Sequence, residues 1–204
     1  MPSSYPVRFD VVPPARFERA QLALRVLLLA ALWLLGGALW WILLLLYAGL
    51  PLYAGVRISA KDGPQFLADE RQRLSGVNGW VIALFAYVGL LVDRFPTGEA
   101  KELIKLDIDV QGNPTVGSAL MRLLMSIPNA FVLAILGIAF WLVWIVSAVT
   151  ILINGTHPAG LYGFQRAILR WLARLLGYHA SLVEEYPPFS IDTGTLDQTE
   201  QTPG

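Results

Sequence analysis

The chain has 204 residues with 15 basic and 15 acidic side chains, no cysteine, seven tryptophans and 55% hydrophobic residues. Balanced charge gives no electrostatic footprint for nucleic acid, and the lack of cysteine excludes disulfides, thiol catalysis and Cys-ligated metals. So apolar a composition with so few charges belongs to the membrane class rather than the globular one.

In residues 1–18, Val7, Phe9 and Val11 alternate with Arg8 and Asp10, which predicts a short strand ended by Pro13 and Pro14. Arg16, Arg19 and Arg25 then lead into a stretch without charge from Val26 to Val56. At about 31 residues it is long enough to span a bilayer and too long for a secretory leader, so it is expected to be a retained span. Gly36 and Gly37 within it mark a close helix contact or a bend, and Pro51 is expected to end the helix. The connector 57–74 has a helical pattern over 66–74. Ser75 to Val92 is a second uncharged segment of about 18 residues, at the lower limit for spanning.

The linker 99–114 holds strict alternation from Lys105 to Val110, a strand signal, followed by a Gly112-Asn113-Pro114 turn. After Arg122 comes the longest apolar run. Its core, Ile127 to Ile153, would be roughly 40 Å long as a helix, against about 30 Å of hydrocarbon. Every face is apolar, and so short a chain cannot enclose such a helix in a soluble core. Asn154-Gly155-Thr156 reads as a turn. The last helix is expected over 161–183. Ile168, Trp171, Leu175, Tyr178 and Leu182 form its apolar stripe, with Arg166, Arg170 and Arg174 opposite. The polar tail 193–204 is expected to be disordered.

The two halves read as one design used twice. A shift of 91 residues brings Trp80 onto Trp171, Leu84 onto Leu175, Tyr87 onto Tyr178, Leu91-Val92-Asp93 onto Leu182-Val183-Glu184, and Phe95-Pro96 onto Tyr186-Pro187. Arg25 before the first span corresponds to Arg122 before the second. The expected fold is therefore an all-α membrane protein of two related units, 1–98 and 99–192. Each would hold a long transmembrane helix and a shorter amphipathic or re-entrant helix, with short β-strands outside the membrane. Three alternating segments, 7–11, 105–110 and 189–192, are expected to share one sheet on one side of the membrane.

Arg122-Leu-Leu, Ile127-Pro128-Asn129, the run from Gly155 to Leu161, Arg170-Trp171 and Glu185-Tyr186-Pro187-Pro188-Phe189 resemble a bacterial membrane family catalogued as domain of unknown function 4389. The resemblance covers about residues 100–192. The N-terminal half resembles the same pattern more weakly, lacking the Ile-Pro after its arginine and the doubled proline after Phe95. The resemblance implies a bacterial membrane, here expected to be the inner one, and lends no known activity, cofactor or catalytic residue.

No catalytic constellation, metal set or phosphate loop is legible, so no enzyme activity, metal or cofactor is expected. His157 lies in a Pro/Gly turn as an interfacial polar residue, and His179 reads as a hydrogen-bonded packing residue. Arg166, Arg170 and Arg174, with Trp171 and Tyr178, are expected to form a water-accessible face at the lipid interface. Gly36, Gly37, Gly79, Ala83 and Asn129 are candidate helix-contact positions, Asn129 otherwise sitting at headgroup level. The function expected is that of a scaffold or accessory subunit organising membrane lipids, a membrane-protein partner or further copies of itself. The alternative is a small oligomeric channel or transporter with a path between the units.

Overall fold

The computed structural model describes residues 5–34, 38–98 and 102–192. These form a mostly helical protein with a two-stranded sheet: β1 (Val7–Asp10), α1 (Arg19–Leu34), α2 (Ala38–Ala60), α3 (Gly63–Val88), β2 (Lys105–Ile108), α4 (Val116–Met125), α5 (Ile127–Asn154) and α6 (Ala159–His179). Two of the helices, α2 from Trp41 onward and α5, are long and apolar enough to cross a membrane.

The two strands pair antiparallel, with Val7 opposite Ile108 and Phe9 opposite Leu106. Both strands are the ones the alternating pattern predicts. The third segment, 189–192, is not a strand. Pro187 and Pro188 have no N–H to give a ladder. Phe189 instead packs edge-on against Trp171 at 5.8 Å, and the Asp192 carbonyl accepts from Arg170. The C-terminal segment still meets the N-terminal one, because Tyr5 donates its hydroxyl proton to the Glu185 carbonyl.

Pro51 does not end a helix; it lies inside α2. A proline there leaves the carbonyl four residues back, that of Tyr47, without its helical donor. His179 Nδ1 supplies one at 2.9 Å, so the helix continues with its freed acceptor satisfied. The first apolar stretch is divided between α1 and α2. Gly36 and Gly37 lie outside the described residues, as does the tail from 193.

The connector and the second apolar segment are one helix, α3. Asp62 caps it by accepting from the Gln65 N–H at 2.8 Å, and Pro64 sits in its first turn, where no donor is lost. The apolar core Ile127 to Ile153 is α5, and a separate short helix, α4, precedes it. Thr115 and Ser118 close a reciprocal capping box at the start of α4. Helix α4 stops at Ser126, where Pro128 removes a donor, and α5 begins at once. Helix α5 ends at Gly155, whose φ of +74° places it in the left-handed region that glycine tolerates.

The core lies between α3 and α6, with β1 laid along α6. Phe9, Ile82, Ala83, Ala86, Tyr87, Leu169, Ala173 and Leu176 are buried there together. Close approach is built from small residues: a Cβ on Gly177 would stand 3.0 Å from Val7. Helices α2 and α5 lie outside this body and bury little of themselves. Phe131 and Ile138 on α5 are each 66% exposed, and Leu45 on α2 is 69% exposed.

Candidate functional site

The charged face of α6 turns inward. Arg166 and Arg170 are buried, so the expectation of a water-accessible arginine face does not hold for them. The apolar stripe is buried as well, and β1 with the C-terminal segment supplies acceptors to the charged side. Arg170 Nε donates to the Phe9 carbonyl at 3.0 Å, and its Nη1 is 2.8 Å from an Asp192 carboxylate oxygen. Arg166 lies 3.4 Å from Asp10. Arg174, half-buried, stacks on the Tyr5 ring at 5.3 Å. Burial holds the Arg170 and Arg174 guanidiniums below their usual range, with Asp192 opposing the effect at Arg170 and Arg170 adding to it at Arg174. A guanidinium survives such burial because its forked donors can meet several acceptors at once.

Arg25 and Arg122 make a second pair of buried cations. Arg25 Nη2 donates to the Val92 carbonyl at 2.5 Å and to Asp93 at 3.0 Å, and its guanidinium lies 4.4 Å from the Tyr87 ring centre. Arg122 Nη1 donates to the carbonyls of Tyr178 at 2.5 Å and Val183 at 2.6 Å, and its guanidinium lies 4.5 Å from the Tyr178 ring centre. Each arginine clasps the chain just after a helix end. There Leu90, with φ 64°, and Ser181, with φ 57°, take up the left-handed conformation. The turn bonds match one for one. Leu90 N donates to Tyr87 O and Ser181 N to Tyr178 O; Leu91 N donates to Ala86 O and Leu182 N to Gly177 O. Phe95 packs edge-on to Tyr87 at 5.3 Å, and Tyr186 edge-on to Tyr178 at 5.7 Å.

The tryptophans follow the same scheme with one difference. Trp80 Nε1 donates directly to the Pro96 carbonyl at 3.1 Å. Trp171 Nε1 donates to Asn129 Oδ1 at 2.6 Å, and Asn129 Nδ2 donates to the Pro187 carbonyl at 3.2 Å. Asn129 is therefore a fully buried relay between α5, α6 and the C-terminal segment. Gly79 and Ala83 are buried on α3, the helix packed against α6, and Asn78 Nδ2 reaches the Ala173 carbonyl at 3.4 Å. Trp171 and Tyr178 are buried within the protein.

His179 is fully buried where α2, the α4–α5 break and the end of α6 meet. The Tyr47 carbonyl can only accept, so Nδ1 carries a proton; Nε2 lies 2.5 Å from the Ser126 hydroxyl oxygen, which itself lies 2.5 Å from the Arg122 carbonyl. Burial pushes the ring down to about 4, against the opposing bond to Tyr47. Ser126 is also fully buried, so this serine–histidine contact has no open approach for a substrate. His157 lies 2.9 Å from Gln165 Oε1, and burial lowers its pKa as well. Between α3 and β2, Arg71, Gln72, Ser75 and Asp109 line a shallow groove.

The sequence reading singled out neither Arg25 nor Arg122 as a site residue. The signal was present: each is the last cation before a long uncharged stretch. Tyr47 and Ser126 gave no signal, because their partner is a histidine far away in the chain.

Residues 117–190, in the part of the chain that carries the sequence resemblance, match the model of a protein family described as Domain of unknown function (DUF4389). No curated protein and no solved structure matches the chain.

Proposed function

We propose that the protein is a multi-pass integral protein of the bacterial inner membrane, built from two related units, 1–98 and 99–192. In this reading it is a scaffold or accessory subunit that organises lipids or partner membrane proteins. The observation that carries the membrane assignment is the bare apolar surface of α2 and α5. Ile127, Phe131, Ile135, Ile138, Leu142, Ile145, Val149, Leu152 and Ile153 are all more than half exposed along one helix. Soluble proteins rarely leave a contiguous apolar patch of more than a few hundred Å² open to water. A soluble core helix would be mostly buried; of the most apolar window of α5 only 11% is buried inside the protein. Lipid satisfies such a surface.

The matched contacts of Arg25 with Tyr87 and of Arg122 with Tyr178 support the two-unit reading. A scaffold is favoured over a channel because the interior cations are engaged by carbonyls and carboxylates instead of lining an open path. Two measurements test the proposal. The protein should stay in the membrane fraction through carbonate and high-salt washes, since screening charge does not release a span. Recovery in the soluble fraction without detergent contradicts it. A mild-detergent pull-down should retain specific lipids or membrane proteins; substrate-driven ion or solute flux in liposomes would favour the channel instead.

A further inference from the structure

We infer that the two units are interlocked as a swapped pair, each completed by the other's helices, so that the surface of the C-terminal unit is made for a second unit of its own kind. The inference rests on the two-unit reading and goes beyond it: two related units could equally sit side by side as independent domains. The contacts argue against independence. Helix α2 of the first unit packs on α4 of the second, with Tyr47 donating its hydroxyl proton to the Leu123 carbonyl at 2.7 Å. Gly55 of α2 faces Leu120, which would stand 3.5 Å from a Cβ there. In the reciprocal place α5 of the second unit packs on α1 of the first. There Arg19 donates to the Ile153 carbonyl at 3.1 Å and Phe17 N–H to the Gly155 carbonyl at 2.8 Å.

The helix ends are exchanged in the same sense. Trp144 of α5 donates to the Val88 carbonyl at the end of α3, at 2.8 Å. At the corresponding end of α6, His179 donates to the Tyr47 carbonyl of α2 at 2.9 Å. Positions 88 and 179 are related by the same 91-residue shift as the tyrosines of the clasps. The sheet has one strand from each unit, paired antiparallel, as a two-fold axis between the units requires. The buried α3–α6 contact likewise joins corresponding helices. Helices α1, α2 and α3 thus each have their closest partner in the second unit, while α5 packs on α6 within its own unit and also reaches α1 and the end of α3. The chain is the covalent form of a two-fold dimer, in which residues 1–98 take the place of a second C-terminal unit.

The test keeps the full chain. A protease site is inserted after Gly98, an exposed position, and the protein is purified in mild detergent, cut, diluted into excess empty micelles and sized. Interlocked fragments should stay together at the size of the uncut protein; fragments that part on dilution overturn the inference. A second variant needs no insertion. The chain has no native cysteine, so Gly55→Cys with Leu120→Cys gives one defined pair. Oxidation should join α2 to α4 within one chain, and failure to join them would also overturn the inference. Both outcomes are read in whichever fraction the protein is found, so failure of the membrane assignment remains distinguishable.

Discussion

The His179 ring gives a quantitative prediction, because its burial among α2, α4 and α6 sets its protonation. Burial takes its pKa from 6.5 to about 4. Above pH 6.5 the ring is neutral in the folded and the unfolded chain, and its contribution to stability is complete. Between 6.5 and about 4 the unfolded chain binds a proton that the folded chain does not, so stability falls with falling pH. Below about 4 no further loss comes from this group. The full loss is about 3 kcal/mol, and the part between pH 7 and pH 5 is about 2 kcal/mol. For a chain of this size that corresponds to roughly 4–8 °C in Tm. Thermal unfolding in mild detergent, followed by tryptophan fluorescence, should show that drop for the native protein. His179→Gln should start from a lower Tm but lose most of the slope. His157→Gln should keep most of it, since His157 is only partly buried. An unchanged pH slope in His179→Gln would refute the assignment of a buried neutral ring bonded to Tyr47 and Ser126.

Two further predictions concern the clasps and are read by the same unfolding assay. Arg122→Met strands two buried carbonyls and removes the stacking on Tyr178, which should cost about 2–4 kcal/mol; Arg25→Met should cost about as much, and Arg122→Lys should restore only part because an ammonium lacks the fork. Ser181→Gly should stabilise by about 1 kcal/mol, because Ser181 has φ 57° and a buried hydroxyl without a partner. Leu90→Gly should instead destabilise by about 2 kcal/mol, since Leu90 is fully buried and its side chain outweighs the relief of backbone strain.

How much was legible follows from the range of each interaction. The strand at 7–10 and the one at 105–108 come from local alternation, and both are present. The length and apolarity of α5 come from an unbroken run, which no tertiary contact had to supply. Pro51 misled because a proline is read locally, whereas its freed carbonyl is satisfied by a histidine 132 residues distant. The arginine face of α6 misled for a related reason. Periodicity separates a charged stripe from an apolar one but does not say what covers either. Here β1 and the C-terminal segment cover the charged side, and their backbone carbonyls carry no sequence signal. Asn129 was found as the most polar side chain near the start of a long apolar helix, and its two partners could be named only from the fold.

The measurement closest to the central claim is the environment of the bare face of α5 in native membranes. Single cysteines at Phe131, Ile138 and Ile145 would be exposed to water if the protein were soluble, since all three are more than half exposed. In lipid they should be shielded from a membrane-impermeant maleimide and react only after denaturation, while a cysteine at exposed Asp107 on β2 reacts at once from the side that carries the sheet. Rapid labelling of Ile138→Cys in intact membranes, without detergent, would contradict the assignment of this face to the bilayer.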